Sequence, residues 1–352
     1  MLGNGLPHDT TSYSNHIHTS THLRAMRSLE TIPNELLCTI FTECLPPPPI
    51  APSPQTAPML LTQVCSHWRA VAFAAPELWS SLAYARKFNL NVPSDPFLNA
   101  WLGRAQSQPV LLDLAAAYAY GNRVPFSAEL FRPILRSVAN LHGLRIGSPI
   151  AGFSEAAQKV SAPTIRSLTV VHGVLAAALA WLDLPGLIHL DTYASIEIPE
   201  LRAFLALPGT HLTKLTIHIT RRTREDELVE LLGDLGTLVY LCVDEQRDVW
   251  TMGHSFLELV ASAAAPSLLP RLEELVINTS SRCLKYPALV DFLRLCRDGT
   301  ASPVLRSMQV VLTRYNDLDD AMDTLLPPPT ACLDELLRMI SGGFDLSIST
   351  IL

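Results

Sequence analysis

A mixed α/β fold, with a short all-helical unit followed by an irregular array of repeated βα units, is what this sequence predicts. Three observations lead there. A pattern of one apolar residue, two of any kind, a second apolar residue, one of any kind and a third apolar residue recurs between Leu141 and Val310. Segments with helical spacing of apolar residues lie between its copies. Ahead of them, two short amphipathic stretches flank a proline-rich run. With 352 residues, 48% apolar and 17% charged, the chain has material for one large or two moderate domains with ample core.

Residues 1–28 are polar, rich in Ser, Thr, Asn and His, and aperiodic, and read as a disordered arm. Gathering His8, His16, His18 and His22 around a metal would cost a flexible chain much entropy, so they are expected to be solvated. The segment lacks the continuous apolar core of a signal peptide. Val174 to Leu182, the most apolar stretch, falls far short of the ~20 residues that span a bilayer. Seven cysteines, an odd number without a C-x-x-C pair, disfavour a disulfide framework or zinc site and fit a reducing compartment. The expected location is cytoplasmic and/or nuclear, without membrane contact. A net charge of −7 without a basic run argues against sequence-independent nucleic-acid binding. Arg221, Arg222 and Arg224 are followed at once by Glu225, Asp226 and Glu227, as in a solvated helix start.

The helical unit is expected at 29–82. Pro33 suits an opening turn, where a missing N–H loses no bond. Ile32, Leu36, Leu37, Ile40, Phe41 and Cys44 then follow at helical steps. Leu60, Leu61, Val64, Cys65, Trp68, Val71 and Ala72 predict a second helix. Such short helices need packing partners, some of them from another protein. Between them, Pro46 to Pro58 holds seven prolines in thirteen residues, which predicts a stiff, extended loop at 46–58. Pro76, Glu77, Leu78 and Trp79 close the unit.

These residues resemble an F-box. Ile32-Pro33-Asn34-Glu35-Leu36-Leu37 with Ile40-Phe41 is similar to its opening, Val64-Cys65 with Trp68-Arg69 to its middle, and Pro76-Glu77-Leu78-Trp79 to its end. The likeness is greatest to a large fungal set in which P-E-L-W closes the box. Ile32 stands where leucine is usual, Ser66-His67 replaces a basic residue, and the proline-rich insert is extra. The resemblance implies docking on a Skp-family adaptor and, through it, a cullin. The residues it assigns to the adaptor surface or the core of the box are Ile32, Pro33, Leu36, Leu37, Ile40, Phe41, Val64, Cys65, Trp68, Leu78 and Trp79.

A connector is expected at 83–107, ending in a helical stretch from Trp101 to Gln106, and Val110 to Leu114 reads as a buried strand. The repeats occupy 108–326. Their copies are Leu141/Leu144/Ile146, Ile165/Leu168/Val170, Leu187/Leu190/Thr192, Leu212/Leu215/Ile217, Leu238/Leu241/Val243, Leu272/Leu275/Ile277 and Leu305/Met308/Val310. Successive starts lie 24, 22, 25, 26, 34 and 33 residues apart. The first four intervals fall within the about 20–29 residues of a leucine-rich repeat, which the array resembles. Helical stretches are predicted over Ser195–Leu207, Glu225–Leu235, Phe256–Ala264 and Ala288–Cys296, giving a βα solenoid. The asparagine usual after the strand of such repeats is missing, so an uneven array is expected. In each strand the residue between the inward apolar positions faces outward. Thr169, Asp191, Thr216, Cys242, Val276 and Gln309 are therefore expected to form a row that touches a target protein. Residues 327–352 are expected to supply a capping helix, with Leu333, Leu336, Leu337 and Ile340 on one face, and a tail. Gly342-Gly343 reads as its stop signal.

No phosphate-cradling glycine loop or paired metal-ligand set is present. Gly253-His254-Ser255 lacks the closing glycine of a nucleophile elbow, and Ser255 reads as a helix N-cap. Asp317, Asp319, Asp320 and Asp323 lack the order of a calcium loop. The expected function is therefore non-catalytic and cofactor-free: recognition of a target protein for a cullin–RING ubiquitin ligase. The alternatives are an interaction scaffold that does not drive ubiquitination and a hydrolase hidden among the repeats.

Overall fold

The computed structural model describes residues 32–84, 96–114, 126–127, 132, 135, 138–147, 150–151, 159–171, 178–179, 181–195, 198–207, 211–219, 223–245, 256–262, 268–280, 284–298, 304–313 and 328–351. Helix α1 (Asn34–Glu43) is followed by α2 (Leu61–Val64), α3 (Ser66–Ala74) and a 3-10 turn at Pro76–Trp79. Then come strand β1 (Ser81–Ala83), helix α4 (Pro96–Ala105), β2 (Val110–Leu114), β3 (Phe126–Ser127), β4 (Leu141–Ile146), β5 (Ile150–Ala151), β6 (Val160–Ser161), β7 (Ser167–Val171) and β8 (Leu182–Asp183). From β9 (His189–Ser195) strand and helix alternate. The order is α5 (Ile198–Leu205), β10 (Lys214–Ile219), α6 (Glu225–Asp234), β11 (Tyr240–Glu245), α7 (Phe256–Ser262), β12 (Glu274–Ser280), α8 (Tyr286–Arg297), β13 (Ser307–Thr313), α9 (Thr330–Ser341) and β14 (Asp345–Ile351).

Ten strands form one sheet in the order β1-β2-β4-β7-β9-β10-β11-β12-β13-β14, every pairing parallel. The pairs β3-β5 and β6-β8 stand apart from it. The recurring apolar pattern explains the register. Its middle residues pair rung by rung, from Leu144 through Leu168, Leu190, Leu215, Leu241 and Leu275 to Met308. All are buried, as are the helix residues Leu201, Phe204, Leu228, Leu231, Leu289 and Leu293 in the same core. Each such side chain contributes roughly 1.5–3 kcal/mol by leaving water. A one-residue slip would send the whole apolar set to the wrong face, so the pattern locks the register. Helices thus cover the face of the rungs, and the row between the rungs lies on the other.

The helical unit does not stand apart from this sheet. Trp79, 2% exposed, donates its indole N–H to the Ala72 carbonyl at 2.9 Å and meets Trp101 of α4 edge-on, 4.8 Å between centroids. Trp101 in turn donates to the Trp79 carbonyl at 3.1 Å. Arg104 lies over both Phe73 and Trp79. Two residues beyond Trp79 the chain becomes β1, the first strand of the sheet. The boundary expected between 82 and 83 therefore falls inside a strand, and the connector contains α4, whose Trp101 and Arg104 pack on the helical unit. The proline-rich loop also does more than join two helices. Ile50 is buried, and its carbonyl accepts the Ala83 N–H at 2.7 Å, so the loop covers the outer edge of β1.

Other elements differ from expectation. The second helix breaks at Cys65, which is extended (φ −157°, ψ 174°), and its thiol accepts the Trp68 N–H at 3.4 Å. That local bond offers the backbone a cap in place of helix continuation. Pro33 is the N-cap of α1 rather than its first helical residue, and Cys44 is exposed at the other end. At the C-terminus, α9 ends as the glycine pair predicts: Gly343 has φ +92°, and the Phe344 N–H returns to the Met339 carbonyl at 3.2 Å. The segment beyond is not a tail but strand β14, paired with β13 along its length. Nor does α9 bury its whole apolar stripe. Leu336 and Glu335 are inside, and Leu333, Leu337 and Ile340 are exposed. Glu335 is tolerated because Arg294, Arg297 and Arg338 surround it. The arm at 1–28 with its histidines, Arg221 and Arg222, Gly253 to Ser255, Cys283 and the aspartates from Asp317 to Asp323 lie outside the described residues.

Candidate functional site

Two surfaces carry the residues singled out by the sequence. The first is the helical unit. Helix α1 divides its aliphatics between opposite sides: Leu37 and Phe41 are fully buried, whereas Leu36 is 57% and Ile40 44% exposed. Phe41 packs on Trp68 of α3 at 4.9 Å, and Ile32 is half-buried against the same core. Leu78 and Trp79 are inside. Leu60 and Val64, one turn apart, are 44% and 42% exposed. Of the eleven residues assigned by resemblance, Leu37, Phe41, Leu78 and Trp79 are core and Trp68 and Ile32 border it. Leu36, Ile40 and Val64 present apolar surface, with Pro33 exposed at the helix entry. Cys65 acts as a cap, a role that helical spacing could not reveal.

The second surface is the open face of the sheet. Thr169, Asp191, Thr216, Cys242, Val276 and Gln309 do occupy equivalent rungs of neighbouring strands. The row continues through Arg145 and Asp113 at one end and Ser347 at the other. One member departs from the expectation of outward display. Cys242 is buried, with the Asn278 amide donating to its thiol at 3.7 Å, and burial pushes that thiol up to about 11.

Strand alternation places the residues two before and two after this row on the same face, and these were missed. His189 lies between Ser167 and Asp191: its Nδ1 is 3.3 Å from Ser167 Oγ, and its Nε2 3.1 Å from Asp191 Oδ1. Thr169 donates to the other carboxylate oxygen at 3.4 Å. Burial opposes ionisation of Asp191. The hydrogen bonds from His189, Thr216 and Thr169 outweigh it and hold the carboxyl below its ordinary value. Serine, histidine and aspartate stand in relay order, yet the backbone N–H groups of β7, β9 and β10 are spent on the parallel ladder. The bonds from His189 and Thr169 hold the Asp191 carboxylate in place.

Beside it, β9 bulges. Its pairing with β10 jumps from Asp191–Thr216 to Ser195–His218, which leaves Tyr193 projecting, 44% exposed. The Tyr193 ring lies 5.1 Å from that of His218 and 5.9 Å from the Arg145 guanidinium. His218 is 7% exposed. Its Nδ1 is 3.1 Å from Asp244 Oδ2 without hydrogen-bond alignment, and among the described residues neither buried ring nitrogen has a hydrogen-bond partner. Burial pushes its pKa down against the pull of Asp244 and Asp191. Burial likewise pushes the Asp244 carboxyl up.

Among the described residues no group of three or more His, Cys, Asp or Glu is placed to hold a metal ion, and no helix is long and apolar enough to cross a membrane. No protein-family model matches this chain, and no curated protein matches its sequence.

Proposed function

We propose that this chain is the substrate-recognition subunit of a cullin–RING ubiquitin ligase, docking a Skp-family adaptor through an F-box and a target protein through the open face of a leucine-rich-repeat-like solenoid. The observation that carries the reading is the division of the F-box-like residues. Leu37, Phe41, Leu78 and Trp79 hold the helices together, while Leu36 and Ile40 keep an uncovered apolar stripe one turn long on α1. Aliphatics that the fold does not need, at i and i+4 on a helix entered through proline, suit a partner's groove. Such a subunit does no chemistry. It raises the concentration of the target's lysines near a ubiquitin-charged enzyme.

The test is a pull-down with purified adaptor, with circular dichroism as the folding control. Leu36→Ala combined with Ile40→Ala is expected to weaken binding more than tenfold, because an interface hot spot contributes ~2 kcal/mol or more. Folding should change little, since both side chains are half exposed already. A folded parent chain that does not retain the adaptor removes the ligase reading.

A further inference from the structure

The two ends of the ten-stranded sheet are finished differently. At one end the proline-rich loop lies along β1, with the Ile50 carbonyl accepting the Ala83 N–H at 2.7 Å. At the other, β14 pairs with β13 and, among the described residues, has no strand on its outer side. Natural sheets blunt such edges with lysine, proline, a bulge or a covering segment. Among the described residues β14 has none of these. It follows β13 from Asp345 to Ile351 without a register shift, and Asp345 is its one charged residue.

The helix layer is open at the same end. Glu335 faces α8, where Arg294 and Arg297 reach it, and Leu336 is buried in the core. At about 100° per residue, Leu333, Leu337 and Ile340 lie roughly half a turn round α9 from Glu335, on the side turned away from α8. Ile348 pairs with the buried Val310, so it stands on the helix side of the sheet. These four aliphatics are between 41% and 54% exposed. An unpaired strand edge and an uncovered apolar stripe thus form one surface, where a further βα unit of the array would stand.

We propose that this end surface is a dimer interface, in which β14 pairs antiparallel with β14 of a second copy of the chain about a two-fold axis at Ile348. The strand suits itself as a partner. Ile348 would meet its own copy, Leu346 would meet Thr350 on the helix side, and Ser347 would meet Ser349 on the open side. The two Asp345 carboxylates would stand at opposite ends of the ladder, about 20 Å apart, instead of side by side. Antiparallel pairing also keeps both helix layers on one side, so the two α9 stripes meet. Head-to-tail stacking, which would grow into a filament, needs a free β1 edge, and the Ile50 loop occupies it. A seven-residue edge is about 23 Å long, and sheet plus helix layer about 20 Å deep. The two copies together would cover on the order of 1,000 Å², the lower bound for a specific interface, so a dissociation constant of about 10 µM is expected.

The test is sedimentation equilibrium of the full chain from about 1 to 100 µM, with circular dichroism as the folding control. The mass should rise from 38.6 kDa towards twice that value. Ile348→Lys sets two like charges against each other at the axis and should weaken the dimer at least about tenfold. Leu337→Gln, at a side chain already 54% exposed, should weaken it without threatening the fold, and it decides the matter if the lysine variant does not fold. Ile188→Lys, the same change at an equally exposed isoleucine away from this end, should leave the dimer as it is. Ile348→Cys should give a disulfide-linked dimer on mild oxidation, beyond any that the parent forms. A chain that stays monomeric at about 100 µM would leave the surface to a different protein and overturn the inference. So would species that grow beyond the dimer, a dimer that Leu337→Gln leaves intact, or an Ile348→Cys chain that cross-links no more than the parent. The adaptor pull-down reports on the helices at the other end of the sheet, so the ligase reading and this one can each fail alone.

Discussion

Replacing Trp79 tests whether the N-terminal helices and the sheet form one cooperative unit. The side chain is 2% exposed, holds the Ala72 carbonyl and stacks edge-on against Trp101, so it bridges α3, α4 and the start of β1. Trp79→Ala removes a fully buried aromatic, a change that typically costs about 3–5 kcal/mol. It also removes an aromatic pair that adds ~0.5–1.5 kcal/mol beyond its area. A loss of about 4 kcal/mol or more is expected. Trp79→Phe keeps a ring against Trp101 but gives up the hydrogen bond to Ala72, so about 2 kcal/mol is expected. Against a usual total of about 5–15 kcal/mol, the alanine change consumes a large share of the stability. The assay is urea unfolding followed by circular dichroism at 222 nm and by the fluorescence of the remaining tryptophans. Both probes should move together to lower urea, with alanine shifted further than phenylalanine. Two separate transitions, only one of them displaced, would refute the shared unit, as would equal shifts for the two variants.

Glu245, 5% exposed, accepts the Phe256 N–H at 2.7 Å at the start of α7, and burial raises its carboxyl above the ordinary 4.5. The folded chain thus holds this proton more tightly than the unfolded one, and the associated stability is present below the unfolded value and lost as pH rises through the folded value. Glu245→Gln, which keeps an acceptor for Phe256, should be more stable than the parent near neutrality and lose that advantage in acid. Thermal melts over a pH series check this, and a difference independent of pH would count against it. Gly343, at φ +92°, permits the turn from α9 into β14. Gly343→Ala should cost about 1 kcal/mol or more and hasten amide exchange in β14, with Gly343→Asn milder. Unchanged exchange in β14 would show that the turn does not hold the strand.

How far the fold could be read depended on whether period and burial agreed. In the copies from Leu141 to Val310 the middle apolar residues are rungs of one ladder, and the row between them is in register as expected. The tenth strand escaped notice because Gly343 stands where the pattern has its first apolar residue, though Leu346 and Ile348 keep the alternation. The first strand was hidden for the opposite reason. Trp79, Leu82 and Tyr84 do fit the pattern, but the tryptophan is also the last residue of the F-box-like segment. The helix break at Cys65 obeys no periodicity, since one thiol-to-amide bond sets it.

Apolar spacing therefore determined the strands of the repeats, the helices between them and the core of the array. These are properties of adjacent residues, written in steps of two or of three to four, and a sheet or helix needs nothing more to choose its faces. Three-dimensional packing decided the rest. It joined Trp79 to Trp101 across 22 residues and laid Ile50 on the edge of β1. It also brought Tyr193, His218 and Asp244 together from three strands. Burial and the pairing of charges are sums over neighbours distant in sequence. No local pattern encodes them, and the chemistry of the open face exists only once the strands stand side by side.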